Sequence, residues 1–181
     1  MKFDFYPVDQ GRWQDFERFF ESKGSPHYCW CMVWRNYRNR DKSTKSEKKL
    51  AIKKFVEDQI PVGLLGYHNN EPIAWCSIAP RESYKRLGGD ESLRKVWSLV
   101  CFFIKKDYRN QGMTKRLLKE AIAYARKNGA RYLEAYPVAP DSPSYGFMGY
   151  TQVFERAGFE FVKKAGSRRN VMIKEFHRPT D

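Results

Sequence analysis

The residues best suited by type and spacing to hold a charged ligand are Phe102-Phe103-Ile104-Lys105-Lys106-Asp107-Tyr108-Arg109-Asn110-Gln111-Gly112-Met113-Thr114, followed by Lys115 and Arg116. An apolar, β-type run ends in charge, a glycine-bearing turn follows, and a patterned helix begins. Strand, loop and helix N-terminus, in that order, are how a backbone builds a pyrophosphate cradle. The first amides of such a helix have no intrahelical acceptor, and a glycine lets a ligand come close to the main chain. Lys115 and Arg116 fall in the first helical turn, where cations oppose the helix macrodipole. Lys105, Lys106 and Arg109 lie just ahead of it. A bound polyanion accounts for this clustering; a solvated basic turn is the plainer alternative.

The spacing Arg109-x-x-Gly112-x-Thr114 after a strand resembles the acetyl-CoA signature of the GNAT N-acetyltransferases, Gln/Arg-x-x-Gly-x-Gly/Ala. Downstream, Phe154-Glu155-Arg156-Ala157-Gly158-Phe159 resembles that superfamily's Tyr-Glu-Lys-Leu-Gly-Phe ending. Thr114 departs from the usual small residue at the end of the first motif. Cys29-Trp30-Cys31 followed by Trp34-Arg35, with Trp75-Cys76…Pro80-Arg81 and Tyr136-Pro137-Val138, looks like one bacterial GNAT subgroup. The resemblance implies an α/β GNAT fold: a mixed, mostly antiparallel central sheet flanked by helices, whose fourth and fifth strands splay apart. Here those strands are Val96–Ile104 and Arg131–Pro137. It further implies acetyl-CoA as cosubstrate, and transfer of acetyl to a primary amine by direct attack in a ternary complex. The amides of Gln111 to Arg116, including those of Gly112, Met113, Thr114 and Lys115, would hold the pyrophosphate. The main chain of Phe102, Phe103 and Ile104 would pair with pantetheine and offer an amide to the oxyanion. A non-catalytic acyl-CoA-binding or nucleic-acid-binding module on the same fold is the alternative.

Such a transfer needs a neutral amine, a stabilised oxyanion and a leaving thiolate. The superfamily commonly places a Tyr acid where this chain has Phe154, which has no proton to give. Tyr150, four residues earlier, and Tyr145, in the preceding loop, are the candidate replacements; both also suit plain packing. Glu134 sits mid-strand in Tyr-Leu-Glu-Ala-Tyr, where a carboxylate is either paired or perturbed. It is a candidate base or the partner of Arg81 or Arg131. Glu82 is a second candidate base. Trp30, Trp34 and Trp75, with Tyr145–Tyr150, would wall the acceptor site.

His27-x-Cys29-x-Cys31 invites a zinc reading. A structural zinc site takes four ligands and favours a two-residue gap between cysteines, and Cys76 and Cys101 lie on other strands. No metal is expected, and Cys29 and Cys31 read as small buried residues. The nine basic residues between Arg35 and Lys54 fit a solvated helix face better than a nucleic-acid surface, since no nucleic-acid module accompanies them.

The elements that position these residues follow from patterning. Strands are expected over 2–8, 62–67, 72–79, 96–104, 131–137, 159–163 and 170–176. Helices are expected from Asp9 to about Ser22, from a Thr44-x-x-Glu47 capping box to Asp58, from Thr114 to Lys127, and from Gly149 or Tyr150 to Gly158. The 181 residues suit a single domain, with no boundary or repeat inside residues 1–181. A net charge of +13 favours anionic partners. The absence of a long apolar run or a signal-peptide core, with four cysteines, points to reduced thiols in a cytoplasm and no membrane partner. A homodimer is compatible with this composition.

Overall fold

The computed structural model describes residues 2–38 and 42–177. Seven strands form one sheet in the order β1-β2-β3-β4-β5-β7-β6: β1 Asp4–Pro7, β2 Leu64–His68, β3 Glu71–Pro80, β4 Val96–Ile104, β5 Tyr132–Ala135, β6 Glu160–Ala165 and β7 Arg169–Glu175. Every neighbouring pair is antiparallel except β4 and β5. Four helices flank it: α1 Trp13–Glu21, α2 Lys45–Glu57, α3 Met113–Lys127 and α4 Thr151–Arg156.

Strand alternation divides the core in two. Leu64, Ala74, Cys76 and Ile78 pack with Leu117, Leu118, Ala121 and Phe154 of α3 and α4. Their sequence neighbours Leu65 and Trp75 pack with Trp13, Phe16 and Phe20 of α1 and Ile52 and Val56 of α2. Helices therefore cover both faces of the sheet.

Local chemistry sets the helix ends. The Asp9 carboxylate accepts from Arg12 N at 2.9 Å and caps a 3-10 turn, Gln10–Arg12, that leads into α1. The expected capping box of α2 is present: Thr44 Oγ1 accepts from Glu47 N at 3.3 Å, and Glu47 Oε2 accepts from Thr44 N at 2.6 Å. The β2–β3 turn passes through Asn69 and Asn70, both with positive φ, a conformation asparagine tolerates in tight hairpins. Several boundaries differ from expectation by a few residues, and two of them bear on the site. β5 ends at Ala135, and α4 begins at Thr151 with Tyr150 as an extended N-cap residue (φ −110°, ψ 139°).

One irregularity in β4 shapes the functional region. Leu99 pairs with Ile78 and Cys101 with Ser77, so Val100 is an extra, bulged residue. A bulge bends its strand and increases its twist. The parallel pairing of β4 with β5 runs from Val96↔Tyr132 to Leu99↔Ala135 and stops at that point. Beyond it the chain leaves the sheet plane, and Val138 bridges instead to Tyr150 and Arg169. The fourth and fifth strands thus part, leaving the β5-facing edge of 100–104 without a strand partner.

Candidate active site

At the end of that free edge the chain turns through Lys106–Tyr108, a 3-10 turn, and enters α3. Asn110 and Gly112 both adopt left-handed backbone, with φ of 58° and 73°. Gly112 is the N-cap residue, and a Cβ built on it would meet nothing within 4 Å. The glycine therefore faces open space, as a cradle requires. Arg116 N donates to Gly112 O at 3.1 Å, the first bond of the helical ladder. The first turn of α3 contains no acidic residue. Two bonds hold the loop in shape: Arg109 Nε donates to Ile104 O at 2.8 Å, and Gln111 Nε2 donates to Asp107 O at 2.7 Å. Both side chains thus brace the loop.

A cleft of about 840 Å³ opens from this cradle between α3 and α4. Gln111, Gly112, Lys115 and Arg116 line its mouth, and Lys119, Arg156 and Lys174 line the rest alongside apolar Leu118, Ile122 and Val153. Five cations and no carboxylate line it. Sequence reading missed Lys119, Arg156 and Lys174, because only the fold brings α4 and β7 beside α3. Lys174 also donates to Ala157 O at 2.9 Å at the end of α4.

A second cavity, of about 580 Å³, lies against Phe102 and Phe103 of β4. Its wall includes Tyr28, Cys29, Cys31, Trp34, Cys101 and Tyr145. Trp34 and Tyr145 are neighbours here, with ring centroids 6.0 Å apart. Trp30 and Trp75, expected on this wall, are instead fully buried beneath it. Trp30 stacks on Phe20 at 5.5 Å, and Trp75 meets Phe16 edge-on at 4.9 Å. Large aromatic surface drew them into the α1–α2 core.

Cys31 and Cys76 are buried, and Cys29 and Cys101 are half-buried. Cys101 donates a hydrogen bond to the Cys31 sulfur, which holds the Cys31 thiol below its ordinary pKa despite burial; Trp75, Arg35 and Ser77 pull in the same direction. Burial and the Cys31 charge push the Cys29 thiol up to about 12. Arg35 is itself fully buried, with Nη2 donating to Val62 O at 2.5 Å and to Ser77 Oγ at 3.3 Å. All four cysteines are free thiols. Among the described residues no group of three or more His, Cys, Asp or Glu is arranged to hold a metal ion.

Glu134 and Glu82 lie elsewhere, on a cavity of about 650 Å³ with Arg81, Ser98 and Tyr136. The Glu134 carboxylate is 1% exposed and forms a two-pronged pair with Arg81, Arg81 Nε donating to Oε1 at 2.9 Å and Nη2 to Oε2. Ser98 Oγ donates to Oε1 at 2.6 Å. Burial alone would lower the Arg81 pKa, but the bonds and charge of Glu134 raise it. The carboxylate is thus committed to an ion pair, one of the two roles its sequence position allowed. Glu82 is exposed.

The aromatic candidates separate in the same way. Phe154 is fully buried against Phe102 (6.2 Å) and Phe159 (5.1 Å). Tyr150 lies outside the helix, so it shares no helical face with Phe154. It lines neither the cleft nor the cavity beside Phe102, and its hydroxyl lies over Gly146. Three of the nine basic residues before and within α2 are engaged internally. Lys49 pairs with Glu17 at 2.6 Å and Glu21 at 2.7 Å, Lys54 pairs with Asp58, and Arg35 is interior. Arg40 of that segment lies outside the described residues.

The acetyltransferase (GNAT) family pattern matches residues 12–159. This chain belongs to the GNAT acetyltransferase family. A mycothiol acetyltransferase of Corynebacterium kroppenstedtii is 28% identical over 107 residues, 58% of this chain and 26% of that protein, so the chain spans about a quarter of that relative's length. Among solved structures, the PaiA N-acetyltransferase of Thermoplasma acidophilum in complex with coenzyme A superposes with a TM-score of 0.58 at 15% identity, over 97% of this chain and all of that one. The ribosomal-protein-alanine N-acetyltransferase of Brucella melitensis gives 0.57 at 16% identity, over 96% and 99%. At these identities the structural likeness speaks for the fold. No helix among the described residues is long and apolar enough to cross a membrane.

Proposed function

We propose that this chain transfers acetyl from acetyl-CoA to a primary amine by direct attack in a ternary complex. The observation that carries the reading is the free edge of β4. It begins at the Val100 bulge, passes Phe102 and Phe103 on the wall of the apolar cavity, and ends at the cradle that opens the cationic cleft. Acetyl-CoA bound along that edge would present a thioester to an amine in the cavity. The PaiA enzyme of the same fold is known with coenzyme A bound.

The residues divide the work. Amides of Gln111 to Arg116 and the cations Lys115, Arg116, Lys119 and Arg156 hold phosphates. The main chain of Phe102 to Ile104, on its free β5-facing edge, takes up pantetheine and supplies an oxyanion donor. Among the described residues the cavity lining includes no carboxylate. Apolar walls disfavour an ammonium, so the acceptor amine is held closer to its neutral, nucleophilic form. We therefore assign no base to Glu134, whose lone pairs are engaged. Tyr145, on the cavity wall, returns the proton to the departing thiolate in place of the missing tyrosine at Phe154.

The buried Phe154 favours a second reading, a non-catalytic acyl-CoA binder. Thiol release from acetyl-CoA with a panel of primary amines separates the two. Turnover supports transfer, and stoichiometric binding of acetyl-CoA without turnover supports the binder.

A further inference from the structure

We propose that the acceptor is an aromatic or branched-aliphatic amine that also carries a carboxylate, and that Trp34 and Arg169 read that carboxylate. The inference rests on the acetyl-transfer reading for the fate of the amine; the recognition itself is argued from the cavity beside Phe102 and Phe103.

The first argument is exclusion. Aromatic, aliphatic and sulfur groups dominate the walls, and among the described residues no Asp or Glu lines them. A polyamine or an aminoglycoside would bring several positive charges to a site that offers none of the opposite sign. Lys85 lies there, its Nζ 4.5 Å from the Trp34 ring.

The second argument is a pair of orphaned donors. Trp34 is 8% exposed, and its indole Nε1 is buried with no hydrogen-bond acceptor. Nη1 of Arg169 is likewise buried without an acceptor. The two side chains are adjacent, the guanidinium carbon lying 5.1 Å from the Trp34 ring centroid. A buried donor left unmade costs about 1–3 kcal/mol, so two side by side, Trp34 on the cavity wall and Arg169 behind Trp34 and Tyr145, require an explanation. Arg81 and Arg131, on the same part of the sheet, pair with Glu134 and Glu175; Arg169 pairs with no carboxylate among the described residues. A ligand carboxylate supplies two acceptor oxygens and the charge that a guanidinium fork matches best. Tyr145 lies across both donors, its ring 6.0 Å from Trp34 and 5.9 Å from Arg169. It is 36% exposed on left-handed backbone (φ 63°), and its rotation would admit the carboxylate.

Isothermal titration of the CoA-saturated protein with matched acetylated amines tests this. The probes are N-acetylphenylalanine against N-acetylphenethylamine, N-acetylleucine against N-acetylisoamylamine, and N-acetylspermidine as the polycation. In at least one pair the carboxylated member should bind about tenfold or more tightly than its decarboxylated twin, a difference near 1.4 kcal/mol. Arg169→Gln should erase that advantage. If the Arg169→Gln protein does not fold, Trp34→Phe, which removes only the indole donor, should reduce the advantage instead. The inference is overturned if no carboxylated probe outbinds its twin, or if acetylspermidine binds as tightly as the best of them. Failure of the transfer reading is distinguishable, because it would appear as absent CoA binding or absent turnover whatever the carboxylate preference.

Discussion

At the scale of single residues, the account turns on which aromatic and sulfur groups reach the cavity. Tyr145 does and Tyr150 does not. Tyr145→Phe should therefore lower kcat by about a hundredfold, the lower range for losing an acid–base group, while Tyr150→Phe stays near the parent rate. Steady-state kinetics on both variants decides it, and the opposite ranking would return the proton donor to Tyr150. The depressed Cys31 thiol carries a linkage consequence. Its folded pKa lies below the unfolded value, so its contribution is present above the ordinary thiol pKa near 8.5 and is lost as pH falls through the folded value. Urea unfolding should thus show stability rising as pH climbs toward about 8.5, and Cys31→Ser should flatten that rise. A rise that survives the substitution would place its source elsewhere.

At the scale of elements, the β4–β5 junction does two jobs. The bulge at Val100 opens the edge, and the Glu134–Arg81 pair with Ser98 holds the strands together just before they part. Glu134→Ala would strand Arg81, whose side chain is a quarter exposed, so the loss should fall near 3 kcal/mol, the low end for a broken buried pair. Replacing both by apolar residues should restore most of it; equal losses in single and double variants would mean that stranding Arg81 costs nothing and that the pair itself supplies the stability. The motif-bearing parts of this arrangement could be read from the sequence. The cradle at Arg109–Gly112, the capping box at Thr44 and the strand at Val96–Ile104 are written in contiguous residues, where local propensity and spacing suffice. The bulge, the place where β5 stops and the burial of Trp30 and Trp75 depend on register and on competition for core volume, which no local window contains. The cations Lys119, Arg156 and Lys174 escaped for the same reason: they converge from a helix face, a second helix and an edge-proximal strand. Tyr150 was misplaced because a shift of a residue or two at a helix start moves a side chain from the helix onto its cap.

At the scale of the whole molecule, the chain carries a net charge of +13, and five of its cations converge on one cleft that has no carboxylate among its described lining residues. Lys49 and Lys54 of α2 pair instead with Glu17, Glu21 and Asp58. Affinity for CoA should accordingly fall as salt rises, because only exposed charge is screened over a Debye length of about 8–10 Å; a flat salt response would make the cleft cations bystanders. The most direct test of the central claim is calorimetric titration of acetyl-CoA into the parent protein, Gly112→Ala and Gly112→Glu. Gly112 sits at φ 73° with open space beyond its α-carbon, so alanine adds only backbone strain of about 1–2 kcal/mol, whereas glutamate adds bulk and negative charge inside the cradle. The account predicts one binding site in the parent, retained binding in a folded Gly112→Ala and none in a folded Gly112→Glu. Parent protein that gives no heat with acetyl-CoA, or Gly112→Glu that binds it with unchanged affinity, would contradict the account.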